Sequence, residues 1–132
     1  MQLAVVGSRE YTDRNLVFFF LEEYLKIFED NLTIVSGGCP CGPDRFAEEF
    51  AQLHQLPTRI FPANWNEHGR AAGFIRNSDI VTACDEVIAF WDRKSKGTLD
   101  TINKAKKQNK EVIIVDKELT LTKKCFTLLA SK

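Results

Sequence analysis

The sequence predicts a single α/β domain with a five-stranded, mainly parallel sheet in the order 3-2-1-4-5 and helices on both faces. Short apolar runs alternate with amphipathic segments along the whole chain, and such alternation favours a parallel sheet. Right-handed crossovers restrict the strand order to a few choices. The length of 132 residues, 44% of them hydrophobic, suits one core. We therefore expect one domain over residues 1–132, with a core over about 1–116 and a short C-terminal extension.

The strands are predicted from apolar runs that end in turn residues, as is typical of buried parallel strands. The helices are predicted where apolar residues recur at helical spacing, and either Thr12 or Asp13 can cap the first of them. The predicted strands cover 2–7, 32–36, 58–61, 85–91 and 111–115, and the predicted helices cover about 14–29, 44–54, 70–83 and 98–108. Residues 63–69 and 92–97 are predicted loops, and 118–130 a short helix or a hairpin.

Composition and charge exclude several classes of protein. The formal net charge of +0 argues against a nucleic-acid partner, because DNA-coating proteins usually carry a basic surplus. No run approaches the roughly 20 apolar residues that span a bilayer, and residues 1–10 do not resemble a signal peptide. We therefore expect a cytoplasmic protein without a membrane partner.

The four cysteines predict neither a disulfide framework nor a metal site. Cys39 and Cys41 are separated by one residue, whereas structural zinc sites use longer spacings and a second ligand pair. Without a secretion signal, disulfides are not expected. We therefore interpret Cys39 and Cys41 as reduced thiols in a tight loop, and we expect no metal and no cofactor.

Glycine-rich and hydroxyl-bearing turns follow three of the predicted strands. The carboxyl ends of parallel strands share one edge of the sheet, and ligands bind there at a switch point, here between the first and fourth strands. Glycine allows close approach of backbone amides to a phosphate, and a helix N-terminus adds further donors. Simple turn chemistry is the alternative explanation. The turns are Gly7-Ser8-Arg9, Ser36-Gly37-Gly38 and Ser95-Lys96-Gly97-Thr98.

Other motifs narrow the expected ligand. Neither G-x-G-x-x-G nor G-x-x-x-x-G-K-[ST] occurs, which argues against ordinary dinucleotide dehydrogenases and P-loop phosphohydrolases. Trp65, in a predicted loop, is a candidate wall for a nucleotide base. Trp91, at a strand end, fits either a second wall or core packing. His54 and His68 are expected at the surface.

Four segments in this order resemble the SLOG superfamily and, within it, the YspA/YpsA-related group. The superfamily also contains the LOG phosphoribohydrolases and the DNA-processing protein DprA. The resemblance implies a Rossmann-like fold that binds nucleotides or nucleotide-derived ligands, including ADP-ribose-like molecules, and it implies a homo-oligomer. The segments are Gly7-Ser8-Arg9, the stretch from Ser36 to Ala47, the stretch from Ala71 to Asn77, and the stretch from Ala89 to Thr98.

The resemblance also implies a catalytic arginine, for which Arg76 is the match, and a glutamate that this chain lacks. Thr101 stands at the position of the glutamate, and Asp100 precedes it by one residue. One step along a helix turns a side chain by about 100°. The family's usual arginine in the second glycine-rich stretch is replaced by Cys41. The departures put catalysis in doubt more than binding.

Two functions follow as expectations. The first is a sensor or sequestering protein for a nucleotide or a nucleotide-derived ligand, such as an ADP-ribose-like molecule or a nucleoside monophosphate. The alternative is a phosphoribohydrolase-like enzyme that cleaves the N-glycosidic bond of a nucleoside monophosphate or an NAD-derived nucleotide, with Arg76 and Asp100 as catalytic residues and Asp92 as a further carboxylate. The expected ligand-binding residues are Gly7, Ser8, Arg9, Ser36, Gly37, Gly38, Asp44, Trp65, Arg76, Asn77, Trp91, Ser95, Lys96, Gly97 and Thr98.

Overall fold

Five parallel strands form one sheet in the computed structural model, which describes residues 1–115. The strand order β3-β2-β1-β4-β5 confirms the predicted 3-2-1-4-5 arrangement and the α/β class. The predicted helix or hairpin over 118–130 lies outside the described residues. The strands are β1 (Gln2–Gly7), β2 (Thr33–Ser36), β3 (Thr58–Ile60), β4 (Glu86–Phe90) and β5 (Glu111–Val115). The helices are α1 (Arg14–Phe28), α2 (Pro43–Leu53), α3 (Trp65–His68), α4 (Ala72–Ala83) and α5 (Lys96–Lys107).

The central strand β1 carries alternate side chains to the two faces of the sheet, as a period of two requires. Leu3 and Val5 pack into one core with residues of α1 and α2. Ala4 and Val6 pack into a second core with residues of α4 and α5. Both faces are therefore covered, which explains why the strand is apolar from Leu3 to Val6.

The strand order of the sheet reverses at β1. The chain passes from β1 to β2 on one side and later returns to β4 on the other side of β1. Gly7 is opposite Phe90 in the β1–β4 register, so both strands end at the same level. The connections that leave these two ends diverge, and this divergence opens the crevice expected at a switch point.

Glycine at position 7 lets the start of α2 pack against this end of the sheet. A Cβ atom at Gly7 would collide with Pro43 Cγ and would lie 2.6 Å from the carbonyl oxygen of Phe90. The turn after β1 therefore packs tightly against the helix that follows β2.

Several helix starts differ from the sequence-based boundaries; α2 begins at Pro43 rather than Asp44, and α4 begins at Ala72 rather than at about 70. Residues 63–69 were expected to form a loop, but Trp65–His68 forms a helical turn because Asn64 Oδ1 accepts a hydrogen bond from the Glu67 amide at 3.1 Å. A single turn is too short to show helical periodicity. Helix α5 begins at Lys96 rather than Thr98, because Ser95 is its N-cap. Of the two alternative caps for α1, Asp13 is the one used, accepting from the Leu16 amide at 3.1 Å.

The described helices are short or carry polar faces. None of them within residues 1–115 has the length and apolar character needed to cross a membrane.

Candidate functional site

A cavity of about 690 Å³ opens at the carboxyl ends of β1, β2 and β4. This volume lies within the usual range of small-molecule sites. Twelve of the residues expected from the sequence line the cavity: Gly7, Ser8, Arg9, Gly37, Gly38, Asp44, Trp65, Arg76, Asn77, Ser95, Gly97 and Thr98. Ser36, Trp91, Lys96 and Asp100, all in the described part of the chain, lie outside this lining.

A network of hydrogen bonds holds the ends of β1 and β4 together. Ser8 Oγ accepts from the Asp92 amide at 3.3 Å, and Asp92 Oδ1 accepts from the amides of Lys94 and Ser95 at 2.8 Å each. The Ser95 amide is the main reason that the pKa of Asp92 lies below its ordinary value. Asp92 is therefore a charged residue that orders the turn before α5.

The start of α5 presents hydroxyl groups to the cavity. Ser95 Oγ accepts hydrogen bonds from the Thr98 amide at 3.4 Å and from Thr98 Oγ1 at 3.1 Å. The Thr98 amide, which was expected to bind a phosphate, therefore already donates to the capping serine. A bound anion would compete with these weak contacts for the Thr98 groups and would add to the helix-dipole attraction at this end.

Arg76 lies across the second glycine turn. Its Nη1 donates to the Gly37 carbonyl oxygen at 2.9 Å, and its Nε donates to Asn77 Oδ1 at 3.1 Å. A Cβ atom at Gly37 would lie 2.5 Å from Arg76 Nη1 and 3.0 Å from Asp44 Oδ2. Glycine is therefore needed at this position for the guanidinium and the carboxylate to approach the same stretch of backbone.

Asp44 is a buried acid within the cavity, and only 8% of it is exposed. Its Oδ2 accepts from the Cys39 amide at 3.2 Å. Burial raises its pKa from 3.8 to about 6, although the Cys39 amide and the charge of Arg76 act in the opposite direction. A carboxyl with this pKa changes its charge close to neutral pH.

An apolar wall and a set of charges were missed by the sequence analysis. Phe74 lines the cavity beside Trp65, and both side chains are about half exposed. Arg70 and Lys94 also line it. A signal for Phe74 and Arg70 did exist, because positions 70, 74 and 77 stand at i, i+4 and i+7 and therefore share one face of the predicted helix. The charged lining residues are Arg9, Arg70, Arg76 and Lys94 on the basic side and Glu10, Asp44 and Asp92 on the acidic side.

Of the four predicted residues outside the lining, Ser36, Trp91 and Asp100 have structural partners instead. Ser36 Oγ donates to Glu48 Oε2 at 2.8 Å and accepts from the Gly38 amide at 3.1 Å. Trp91 is partly buried against the second core, and its Nε1 donates to the Ser95 carbonyl oxygen at 3.0 Å. Lys96 is exposed on the first turn of α5.

The fourth of these residues is Asp100, which is held on the flank of α5. Its Oδ2 lies 2.8 Å from Lys104 Nζ and accepts from Asn77 Nδ2 at 3.1 Å. Thr101, one residue further, lines the cavity. Asp100 is therefore joined to Arg76 through Asn77, whose Oδ1 accepts from Arg76 Nε at 3.1 Å.

Metal-binding side chains do not cluster in the described chain. Within residues 1–115, no group of three or more His, Cys, Asp or Glu side chains is placed to hold a metal ion.

The fold and the cavity define a Rossmann-like α/β domain with a polar site at the switch point of its sheet. The family model YAcAr, described as the YspA, cpYpsA-related SLOG family, matches residues 1–68, and the chain belongs to this family. This confirms the resemblance found in the sequence. The chain is also 32% identical over 118 residues to the Gene 61 protein of Mycobacterium phage D29, an alignment that covers 85% of this chain and 94% of that protein.

Two solved structures share the fold. DNA processing protein A (DprA) from Streptococcus pneumoniae matches with a TM-score of 0.69 and 21% identity, covering 98% of this chain and 56% of that one. This chain thus spans little more than half of that protein. DprA from Helicobacter pylori matches with a TM-score of 0.68 and 17% identity, covering 99% and 79% respectively. At these identities the likeness shows the fold.

The expectation against a nucleic-acid partner is wrong. The H. pylori structure is described as showing a unique single-stranded DNA binding mode of that protein, so the fold itself is compatible with such a partner. The neutral net charge misled because phosphate contacts depend on local charge, whereas net charge is summed over the chain. Four basic side chains surround this cavity in a chain with a net charge of +0.

Proposed function

We propose that the chain binds a nucleotide or a nucleotide-derived ligand through its phosphate groups and acts as a sensor or sequestering protein. The observation that carries the proposal is the meeting of three separate glycine and hydroxyl turns in one cavity. Ser8, Gly37 and Thr98 come from the ends of three different elements and line the same space. Simple turn chemistry explains each turn alone, but it does not explain their convergence beside Arg76.

The phosphate would lie at the glycine-turn end of the cavity. Arg76 offers a planar, permanently charged donor group there, and Ser8 and Thr98 offer hydroxyl groups. Hydrogen bonds between ionised groups are about twice as strong as neutral ones, so the arginine should dominate the affinity.

The base would lie against the aromatic end. Trp65 and Phe74 both line the cavity and keep about half of their surface exposed, although burial in a core is the usual place for such side chains. Stacking of a base on an aromatic side chain contributes about 1–3 kcal/mol. A ligand with a base at one end and phosphate at the other matches this division of the cavity, and ADP-ribose and nucleoside monophosphates have that form.

Single-stranded DNA is the second candidate ligand. The fold shared with the H. pylori protein and the four basic side chains around the cavity favour it. The two ligands differ in the number of phosphates engaged, and the slope of affinity against salt concentration reports that number. A free nucleotide should give a shallow slope, and a DNA strand that contacts several phosphates should give a steep one.

The phosphoribohydrolase-like alternative stays a prediction, and the position of Asp100 weakens the version that uses this residue. The carboxylates that line the cavity are Glu10, Asp44 and Asp92. If the chain cleaves an N-glycosidic bond through Asp100, Asp100→Asn should abolish turnover and spare binding. If Asp92 is the carboxylate instead, Asp92→Asn should do so. Chromatography of the free base released from AMP or NAD measures this difference.

The binding proposal is tested by calorimetry with ADP-ribose, AMP, NAD and a single-stranded oligonucleotide. Arg76→Ala should weaken binding by about tenfold or more, because a hydrogen bond to a charged group contributes about 1.5–3 kcal/mol. The matched control is Arg45→Ala, because Arg45 is an exposed arginine that pairs with Glu49 outside the cavity. Circular dichroism checks that both variants fold. Absence of binding to every member of the panel, or an equal loss in the two variants, would refute the proposal.

A further inference from the structure

We propose that Cys39 and Cys41 are a modification site, at which a reversible disulfide forms on the rim of the cavity by exchange with a low-molecular-weight disulfide. The two Sγ atoms lie 3.6 Å apart. Cys41 is exposed, and Cys39 is partly exposed and lines the cavity. Both thiols are therefore accessible to a small oxidant and already face each other.

The backbone around the two cysteines is suited to a small movement that brings the two sulfur atoms together. The loop Gly38–Gly42 has a glycine at each end, with φ of +76° at Gly38 and +74° at Gly42. Glycine adopts this region of φ without the steric cost that a side chain brings. The sulfur atoms have to approach from 3.6 Å to about 2.05 Å, and Pro40 limits the conformations that the intervening residue can adopt.

The third cysteine in the described chain provides an internal contrast. Cys84 is buried, and burial raises the pKa of its thiol to about 11. Thiol reactivity requires exposure and access to the thiolate. Among the cysteines within residues 1–115, oxidation should therefore be selective for the loop pair. The hydrogen bond with Cys39 also raises the pKa of Cys41, so exchange should become faster as the pH rises.

Oxidised glutathione is a disulfide that can act as the oxidant in this exchange. One loop thiolate attacks the glutathione S–S bond, which breaks and releases one reduced glutathione as a mixed disulfide forms. The second loop thiol loses its proton and attacks the loop sulfur of the mixed disulfide, which releases the second glutathione. Two electrons and two protons pass from the protein to the oxidant, and one S–S bond forms between Cys39 and Cys41.

The bridge should change the cavity because the loop carries one of its contacts. The Cys39 amide donates to Asp44 Oδ2 at 3.2 Å, and moving Cys39 toward Cys41 strains this bond. This bond lowers the pKa of Asp44, so its loss favours the neutral carboxyl. We therefore expect the affinity for an anionic ligand to rise on oxidation, by up to about tenfold. This second part rests on the proposed function, whereas disulfide formation itself does not.

The site is tested by mass spectrometry of the full chain after incubation with oxidised glutathione and alkylation of the remaining thiols. Trypsin releases both cysteines on one peptide, 27–45. The wild-type peptide should resist alkylation, weigh two hydrogen atoms less than the reduced form, and recover after treatment with dithiothreitol. Cys41→Ser should instead retain one glutathione on Cys39. Cys125→Ser serves as the control and should behave as wild type. A fully alkylated wild-type peptide, or one that only accumulates glutathione, would overturn the proposal.

The effect on the cavity is measured in two ways. Hydrogen exchange at the Cys39 amide should become faster on oxidation, and this readout requires no ligand. Calorimetry with ADP-ribose should show tighter binding to the oxidised protein, and the double variant Cys39→Ser/Cys41→Ser should be insensitive to oxidant. Unchanged exchange and unchanged affinity would refute the coupling. Failure of the reduced protein to bind any nucleotide would count against the proposed function alone.

Discussion

Asp44→Asn should stabilise the protein at alkaline pH and have little effect at acidic pH. Burial raises the pKa of this carboxyl from 3.8 to about 6, so the folded state binds the proton more tightly than the unfolded state does. Stability is then greatest below about 3.8, falls as the pH rises to about 6, and stays lower above it. Each pH unit between the two values is worth about 1.4 kcal/mol, which gives an upper value of about 3 kcal/mol.

Asparagine is a suitable replacement because it keeps an oxygen that can accept from the Cys39 amide while it removes the charge. Urea unfolding followed by circular dichroism, at a series of pH values from 4 to 8, gives the free energy of unfolding of both proteins. The variant should be more stable by up to about 3 kcal/mol at pH 8, and the two should converge at pH 4.

A matched control separates this effect from the general pH dependence. Glu49 is a carboxylate paired with Arg14 and Arg45, and the hydrogen bond from Arg14 is the main reason that its pKa is lowered. Glu49→Gln should therefore destabilise the protein at neutral pH and lose its effect as the pH falls. An equal stability difference at pH 4 and pH 8 for Asp44→Asn, or a less stable variant at pH 8, would refute the reasoning. A buried charge that lowers stability, such as that of Asp44, is expected to be retained where the residue takes part in binding.

Three further predictions concern the glycine turns and the charge of the cavity. Gly42→Ala should cost about 1–3 kcal/mol in thermal unfolding, because φ there is +74° and the new Cβ would lie 2.8 Å from the Ser8 carbonyl oxygen; an unchanged melting temperature would contradict this. Gly37→Ala should change stability by less than about 1 kcal/mol, since the flexible end of Arg76 can move away, but it should weaken ADP-ribose binding several-fold in calorimetry; unchanged affinity would contradict the placement of the phosphate. Binding of ADP-ribose should strengthen as the pH falls through about 6, because protonation removes the charge of Asp44; an affinity that is flat between pH 5 and pH 8 would contradict it.

Local patterns were sufficient for most of the fold. The apolar run of β1 and the run of β4 were visible as buried strands, and their alternation with helices, together with the handedness of the connections, limited the strand order to a few choices. Boundaries failed where the signal was a single side chain. Asn64 starts a helical turn within a predicted loop, and Ser95 moves the start of α5 two residues earlier. Such caps depend on one hydrogen bond each and leave no periodic trace.

The location of the site at one edge of the sheet was predictable from the sequence, but many of its side-chain contacts were not. The turns after β1, β2 and β4 could be assigned to one edge because parallel strands share their carboxyl ends. Arg70 and Lys94 were missed, and Asp100 lies outside the lining, where it is bonded to Lys104 and to Asn77. The orientation of a side chain depends on partners that are distant in sequence, and the spacing of residues along the chain does not reveal those partners.

By itself, the sequence determined the α/β class and the edge at which the glycine turns meet, because these follow from periodicity and from the parallel direction of the strands. It also limited the order of the strands to a few choices through the handedness of the connections. Only the tertiary structure decided that Arg76 lies over Gly37, that Asp44 is buried with a pKa of about 6, and that the thiols of Cys39 and Cys41 face each other. These features arise from contacts between segments that the fold brings together. Burial and electrostatic environment are properties of that packing, and they exist only once the chain has folded.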